Sequence, residues 1–209
     1  DFDMAADVHR YIKLKGIGLY LNNSVKAIDG HTVVLQNGKI NADMVILSVG
    51  VLPETALAQE CGIKTNRRGS IIVNRQMKTN VPNIYAVGDA AEAEDFIAKT
   101  PAFIPLAGPA NKQGRIAADN IAGIASEYKG TQGSAVLKLF DMTVATTGLN
   151  EKSAKAAGIN YDKTYIYSGS HAAYYPGANN MSIKALWDKN TLKILGAQIV
   201  GFDGVDKRM

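Results

Sequence analysis

The chain has one cysteine, Cys61, among its 209 residues, which excludes an intrachain disulfide, a CxxC redox pair and a cysteine-based zinc site. Such sparing use suits a reducing cytoplasm. Cys61 follows Glu60 near the end of an amphipathic helix with no basic neighbour in sequence, and it reads as a packing residue. Histidine is nearly as scarce. His9, His31 and His171 have no metal-triad spacing, so no metal site is expected and all three read as scattered surface residues. No serine occupies a Gly-x-Ser-x-Gly context, which leaves nucleophilic hydrolysis unsupported. No apolar run approaches the length of a membrane span, and Asp1-Phe2-Asp3-Met4 lacks the basic and apolar regions of a signal peptide. Excess charge is missing too: the formal net charge is +4 and the lysines and arginines are dispersed, so no nucleic-acid footprint is expected, although an anionic ligand is permitted.

What is present is a globular composition, with 46% hydrophobic and 20% charged residues, long enough for one or two domains. Asp3 can cap a helix through Ala5, Val8, Ile12 and Leu14, closed by Gly16. Short strands are expected at Ile17–Leu21, Val25–Ile28 and Thr32–Gln36. Asn37-Gly38 is a hairpin signal, because both residues tolerate positive φ. Ala42–Val49 is a nearly continuous apolar run of the kind buried on both faces of a sheet. A helix over Ala56–Cys61 stops at Gly62, and Ile71–Val73 reads as a strand. Pro105–Ile124 predicts a small-residue helix with Pro109 in its first turn and Ala117, Ile121 and Ile124 on one face. Glu127–Ser134, with two glycines, reads as a linker. Beyond it, strands at Val136–Phe140, Thr143–Thr147 and Thr164–Ser168, a helix over Glu151–Ala157 and a Ser182–Gly201 hairpin turning at Lys189-Asn190 predict an antiparallel domain with a covering helix.

Two stretches point to chemistry. In Thr79-Asn80-Val81-Pro82-Asn83-Ile84-Tyr85-Ala86-Val87-Gly88-Asp89 a turn feeds a short apolar strand that stops at a glycine and a carboxylate. Gly88 lets backbone approach a ligand, and Asp89 offers two acceptors where a strand end delivers them to a polyol. The helix that begins after Pro105 adds unpaired N–H groups to the same domain. Adjacent Tyr174 and Tyr175 before Pro176-Gly177 mark either a plain turn or an interface or substrate contact.

These residues carry a family resemblance. Thr79–Asp89 resembles the second FAD motif of the flavin-dependent pyridine nucleotide-disulfide oxidoreductases. Ser48-Val49-Gly50-Val51-Leu52-Pro53 resembles the segment closing that family's NAD(P)H domain. Pro105-Leu106-Ala107, Ala110-Asn111 and Gln113-Gly114-Arg115 are similar to the helix that meets the flavin ring, and His171–Ala178 is similar to the dimerisation domain of coenzyme A-disulfide reductases, NADH oxidases and NADH peroxidases. The resemblance implies an α/β plus α+β fold: residues 1–52 end an NAD(P)H-binding domain, residues 53–128 are the returning part of an FAD-binding domain, and residues 134–209 form an antiparallel interface domain, truncated at its C-terminus. It implies FAD and NAD(P)H as cofactors, with Asp89 on the ribityl chain, Thr79 and Gly88 in the same motif, Leu106 and Ala107 presenting backbone to the isoalloxazine, and Gly50 beside the nicotinamide nucleotide. Asn111, Tyr174 and Tyr175 would approach substrate or the partner subunit of a homodimer built on residues 134–209.

The departures from that pattern are as informative. No Gly-x-Gly-x-x-Gly loop occurs, and Cys61 does not stand at the family's redox position, so no catalytic residue is assigned. Both chain ends read as cut, and the expectation is a C-terminal fragment, inactive and with weak or absent FAD binding by itself. Its parent would be a cytoplasmic enzyme passing electrons from NAD(P)H through FAD to a cysteine sulfur, and on to a small-molecule disulfide, peroxide or oxygen. The alternatives are a non-catalytic dimerisation module and a ferredoxin or rubredoxin reductase-type flavoprotein, the latter disfavoured by Tyr174-Tyr175-Pro176-Gly177.

Overall fold

The computed structural model describes all residues from Asp1 to Met209. They form two compact units: Val8–Val51, and Asp1–Asp7 with Leu52–Met209. Helix α1 (Phe2–Leu14) supplies residues to both. It starts before Asp3, which therefore lies inside the first turn and does not cap it; Met4 and Tyr11 are its buried residues, whereas Leu14 is exposed. Gly16, at φ +76°, ends it as expected.

In the smaller unit, β1 (Val25–Asp29), β2 (Thr32–Leu35) and β3 (Gly38–Asn41) make an antiparallel meander. The Asn37-Gly38 hairpin is where the sequence places it, with Gly38 at φ +109°. Two expected strands are not found. Ile17–Leu21 joins no ladder, and Ala42–Val49 runs without a sheet partner, leaving Met44 79%, Ile46 81% and Val49 90% exposed. The reason is that a strand of this kind is buried by neighbours on both sides, and no strand of this chain lies beside it.

From Leu52 the larger unit runs through α2 (Ala56–Glu60) and then irregular backbone tied by single bridges. Ile71 pairs singly with Thr65 and with Ala91, so Ile71–Val73 is an isolated bridge and not a strand. Likewise only Tyr85 of the expected Ile84–Val87 strand pairs, with Lys78, and Ile84 and Val87 are exposed. A 3-10 turn at Gly88–Ala90 follows, then the two-residue strands β4 (Ala93–Glu94) and β5 (Pro101–Ala102), and helix α3 (Ala107–Ile121). The buried stripe of α3 is Pro109, Gln113 and Ala117, four residues apart; Ile121 and Ile124, expected on that face, are exposed. Cys61 is exposed as well, and so is not the buried packing residue its sequence context suggests.

The expected linker is in fact clamped. Tyr128 is buried in a cluster with Met77, Ala93 and Ala117, its N–H donates to the Arg75 carbonyl, and a Cβ on Gly130 would sit 2.6 Å from the Glu94 carbonyl oxygen. Glycine is needed there for close approach, not for flexibility.

Five strands complete the unit: β6 (Ala135–Leu139), β7 (Met142–Gly148), β8 (Tyr161–Gly169), β9 (Asn180–Asp188) and β10 (Ile194–Gly201). They form one antiparallel sheet in the order β6-β7-β10-β9-β8. Side-chain alternation splits its residues between two faces. Helix α4 (Glu151–Ala156) covers one face through Ala154, Leu186 and Leu195, and α5 (Val205–Arg208) covers the other through Met181, Ile199 and Val205. Asn150 caps α4 by accepting from the Ser153 N–H, and Ser153 accepts in turn from the Asn150 N–H.

Candidate functional site

Gly88 begins the 3-10 turn at φ +77°, a left-handed conformation that glycine adopts without strain. A Cβ there would meet only the Ala110 Cβ, at 3.9 Å, so α3 stands directly beside the turn. The Gly88 N–H donates to Gln113 Oε1 at 2.8 Å. Asp89 is thereby presented on an outward corner, exposed, with its carboxylate unpartnered by protein. A free carboxylate on a turn whose backbone is fixed from behind is an acceptor for ligand hydroxyls.

Helix α3 supplies the second component. Leu106 is its N-cap residue in extended conformation and donates no side-chain cap; the helix start therefore relies on backbone alone. Ala107 and Gly108 are exposed, and Pro109 in this first turn needs no N–H partner. The unpaired N–H groups of Ala107 and Gly108 and the helix dipole suit a carbonyl or anionic group. Asn111 turns its amide back on the Ala107 carbonyl at 3.1 Å and remains exposed. Gly88, Asp89, Leu106, Ala107 and Asn111 are thus brought to the two elements that pack on one another.

The other expected site residues lie elsewhere. Thr79 closes its own turn, its N–H donating to the Ile84 carbonyl and its hydroxyl accepting from the Val81 N–H. Gly50 belongs to the smaller unit, exposed, at φ +93°. Tyr174 and Tyr175 occupy the loop between β8 and β9, 85% and 59% exposed, with their rings 5.2 Å apart. His171 pins that loop from behind: its ring meets Tyr175 edge-on, Nδ1 faces the Ser170 hydroxyl at 3.0 Å and Nε2 the Pro176 carbonyl at 3.4 Å. The three histidines do not converge; His9 is half-buried on α1 and His31 lies 3.9 Å from Asp43.

A charged cluster escaped the sequence reading. Lys184, in the middle of β9, is completely buried, and its Nζ contacts Asp3 at 2.7 Å, Asp1 at 3.1 Å and Glu151. Lys163 adds a second cation to Glu151 at 2.8 Å. The hydrogen bond from Lys163, then that from Lys184, holds the Glu151 carboxyl down at about 2. Burial pushes Asp3 up, but hydrogen bonds from Lys184, Tyr165 and the Met4 N–H outweigh it and keep the carboxyl well below its usual range. The only sequence signal was a lysine on the same strand face as Leu186. Nothing in the periodicity of β9 indicated three carboxylates from distant segments.

Residues 1–114 match the pyridine nucleotide-disulphide oxidoreductase family, and residues 134–209 match the dimerisation domain of pyridine nucleotide-disulphide oxidoreductases. The chain belongs to that family. It is 36% identical along its whole length to a coenzyme A disulfide reductase of Staphylococcus aureus, spanning 48% of that protein. Among solved structures it resembles reduced CoADR-RHD from Bacillus anthracis, with 48% identity and a TM-score of 0.97, over 100% of this chain and 38% of that one. It also resembles an NAD-dependent persulfide reductase from A. fulgidus, with 33% identity and a TM-score of 0.96, over 100% of this chain and 40% of that one. The chain therefore spans about half the length of the curated relatives it matches. No helix is long and apolar enough to cross a membrane.

Proposed function

We propose that these residues form part of a cytoplasmic FAD-dependent oxidoreductase that takes electrons from NADH or NADPH and delivers them to a small-molecule disulfide such as coenzyme A disulfide. The observation that carries the reading is the unpartnered Asp89 carboxylate on a turn packed against the uncapped start of α3. The residues fit FAD: Asp89 would accept from ribityl hydroxyls, and the first-turn N–H groups of Ala107 and Gly108 would face an electron-rich edge of the ring system, the Leu106 N–H being taken by the Ile104 carbonyl. When bound, the flavin supplies the route by which a hydride equivalent from the nicotinamide reaches sulfur. Gly88 permits close backbone approach, and Gly50 does the same for the nicotinamide nucleotide.

The dimerisation domain at residues 134–209 supports a homodimer, in which the exposed Tyr174 and Tyr175 would meet substrate or the partner subunit. The division at 1–52, 53–128 and 134–209 belongs to the same reading. The coenzyme A disulfide and persulfide reductases among the similar proteins favour a sulfur acceptor over peroxide or oxygen. The full-length protein should purify with bound flavin and oxidise NADH or NADPH faster with coenzyme A disulfide than with peroxide or oxygen. The 209-residue chain alone should show no such turnover and little flavin retention after dialysis. Absence of flavin and of pyridine-nucleotide oxidation from the full-length protein would refute the proposal.

A further inference from the structure

Gln113 is the large polar side chain on the buried stripe of α3, 2% exposed, between Pro109 and Ala117. An uncharged amide at such a position loses its hydration and must be repaid by a partner. Its partner is the Gly88 N–H, which donates to Oε1 at 2.8 Å. That N–H opens the 3-10 turn whose next residue is Asp89, and the same helix provides Ala107 six residues before Gln113. A single side chain thus links the two elements on which the flavin reading rests.

We infer that Gln113 is a positioning residue, which locks the Gly88-Asp89 turn in register with the start of α3 and so sets Asp89 for the ribityl hydroxyls. This rests on the flavin reading above. The alternatives for holding the turn are few. Gly88 has no side chain, the Asp89 carboxylate makes no protein hydrogen bond, the Ala91 N–H to the Gly88 carbonyl, 3.0 Å, shapes the turn from within, and the Ile71 N–H to the Ala90 carbonyl, 2.8 Å, ties its far end to another segment; none of these attaches it to the helix. The backbone freedom of a glycine at φ +77° makes an external tie necessary, since the chain can leave this conformation at no steric cost. The neighbouring Tyr128 is 5% exposed, and its hydroxyl faces Gln113 and Thr131 without completing a hydrogen bond; burial is the main cause that pushes its pKa up. The amide of Gln113 is therefore enclosed, with Gly88 its one direct hydrogen-bond partner.

The test uses the full-length protein, freed of flavin and titrated with FAD, as unaltered protein, Gln113→Met and Gln113→Glu. Gln113→Met keeps the bulk and loses the acceptor; FAD affinity should fall tenfold or more, with a changed visible circular dichroism of the remaining bound flavin. Gln113→Glu keeps an acceptor oxygen and should recover affinity to within a few-fold together with the original spectrum. If Gln113→Met does not fold, hydrogen exchange of the unaltered protein decides: the Gly88 amide should be protected, and an amide exchanging at the rate of an open loop overturns the inference. Equal affinity and identical flavin spectra for Gln113→Met and unaltered protein would overturn the role of Gln113 alone. Unaltered protein that binds no FAD would overturn the flavin reading and this inference with it.

Discussion

Replacing Lys184 by methionine removes one buried cation and nothing else of comparable size. In the native structure its Nζ faces Asp1, Asp3 and Glu151, whose oxygens lie within 4.8 Å of one another, and stands 5.4 Å from the centre of the Tyr165 ring. Methionine fills the space of the aliphatic stem, so the cost is chiefly electrostatic. Removing one partner of a buried ion pair costs about 3–5 kcal/mol, because the remaining charge is left uncompensated. Lys163 still serves Glu151, and Asp3 is 37% exposed, which places the expectation near the lower end, about 3 kcal/mol. For a chain of this size that corresponds to a fall of roughly 6–12 °C in melting temperature.

The pH dependence gives this prediction a second, independent check. Glu151 has a native pKa of about 2, below its unfolded value, so its stabilisation is complete above the unfolded value and is lost as pH falls toward the native one. Asp3 shifts in the same direction. In Lys184→Met the carboxylates repel and their pKa values rise, so protonation relieves the variant while it weakens the native cluster. Lys163, Lys152, Tyr161 and Tyr165 also border the cluster and are unchanged by the substitution. Urea unfolding should therefore show a deficit that is largest at neutral pH and shrinks through the carboxylate range. A deficit below about 1 kcal/mol at neutral pH, the scale of an exposed pair, would refute the argument. So would a deficit independent of pH.

Three further outcomes are expected. Asp89→Ala in the full-length protein should lower FAD affinity tenfold or more, with little change in the melting temperature of the flavin-free form; unaltered affinity in a fluorescence titration would remove Asp89 from the site. Gly196→Ala should destabilise severely, by about 3 kcal/mol or more in chemical unfolding, because the new Cβ would lie 2.2 Å from the Leu149 carbonyl oxygen and 2.6 Å from its nitrogen; a variant with native stability would show that β10 and the β7–α4 connection can separate cheaply. Tyr128→Phe should be neutral or stabilising by up to about 1 kcal/mol, since it deletes a buried hydroxyl without a partner; a loss exceeding that in thermal unfolding would mean that the hydroxyl is bonded in solution.

The parts of the fold legible in advance are those whose causes are local. Gly16 after α1, Asn37-Gly38 between β2 and β3, the helix beginning at Glu151 and the β9–β10 hairpin are set by residues within a few positions of each other, and the structure has all of them. The errors lie where a sheet neighbour decides the outcome. Ala42–Val49, Ile71–Val73 and Ile84–Val87 have strand-like composition, yet a strand exists only through inter-strand hydrogen bonds, and these segments have at most single bridges. Glu127–Ser134 misled in the opposite sense: its two glycines indicated flexibility, whereas one is there because the Glu94 carbonyl leaves no room for a side chain.

By itself the sequence determined the family, through Thr79–Asp89, Pro105–Arg115 and His171–Ala178, since motifs are short-range patterns of residue type. It also placed Gly88 and Asp89 together at the end of an apolar run, which the structure forms as a 3-10 turn. Only the tertiary structure decided what holds that turn: Gln113 is 25 positions away from Gly88, and their hydrogen bond exists because α3 packs across the turn. Lys184 meets Asp3 across 181 positions for the same reason. Periodicity shows which residues face inward, but the partner that compensates a buried polar group is chosen by packing between segments distant in the chain.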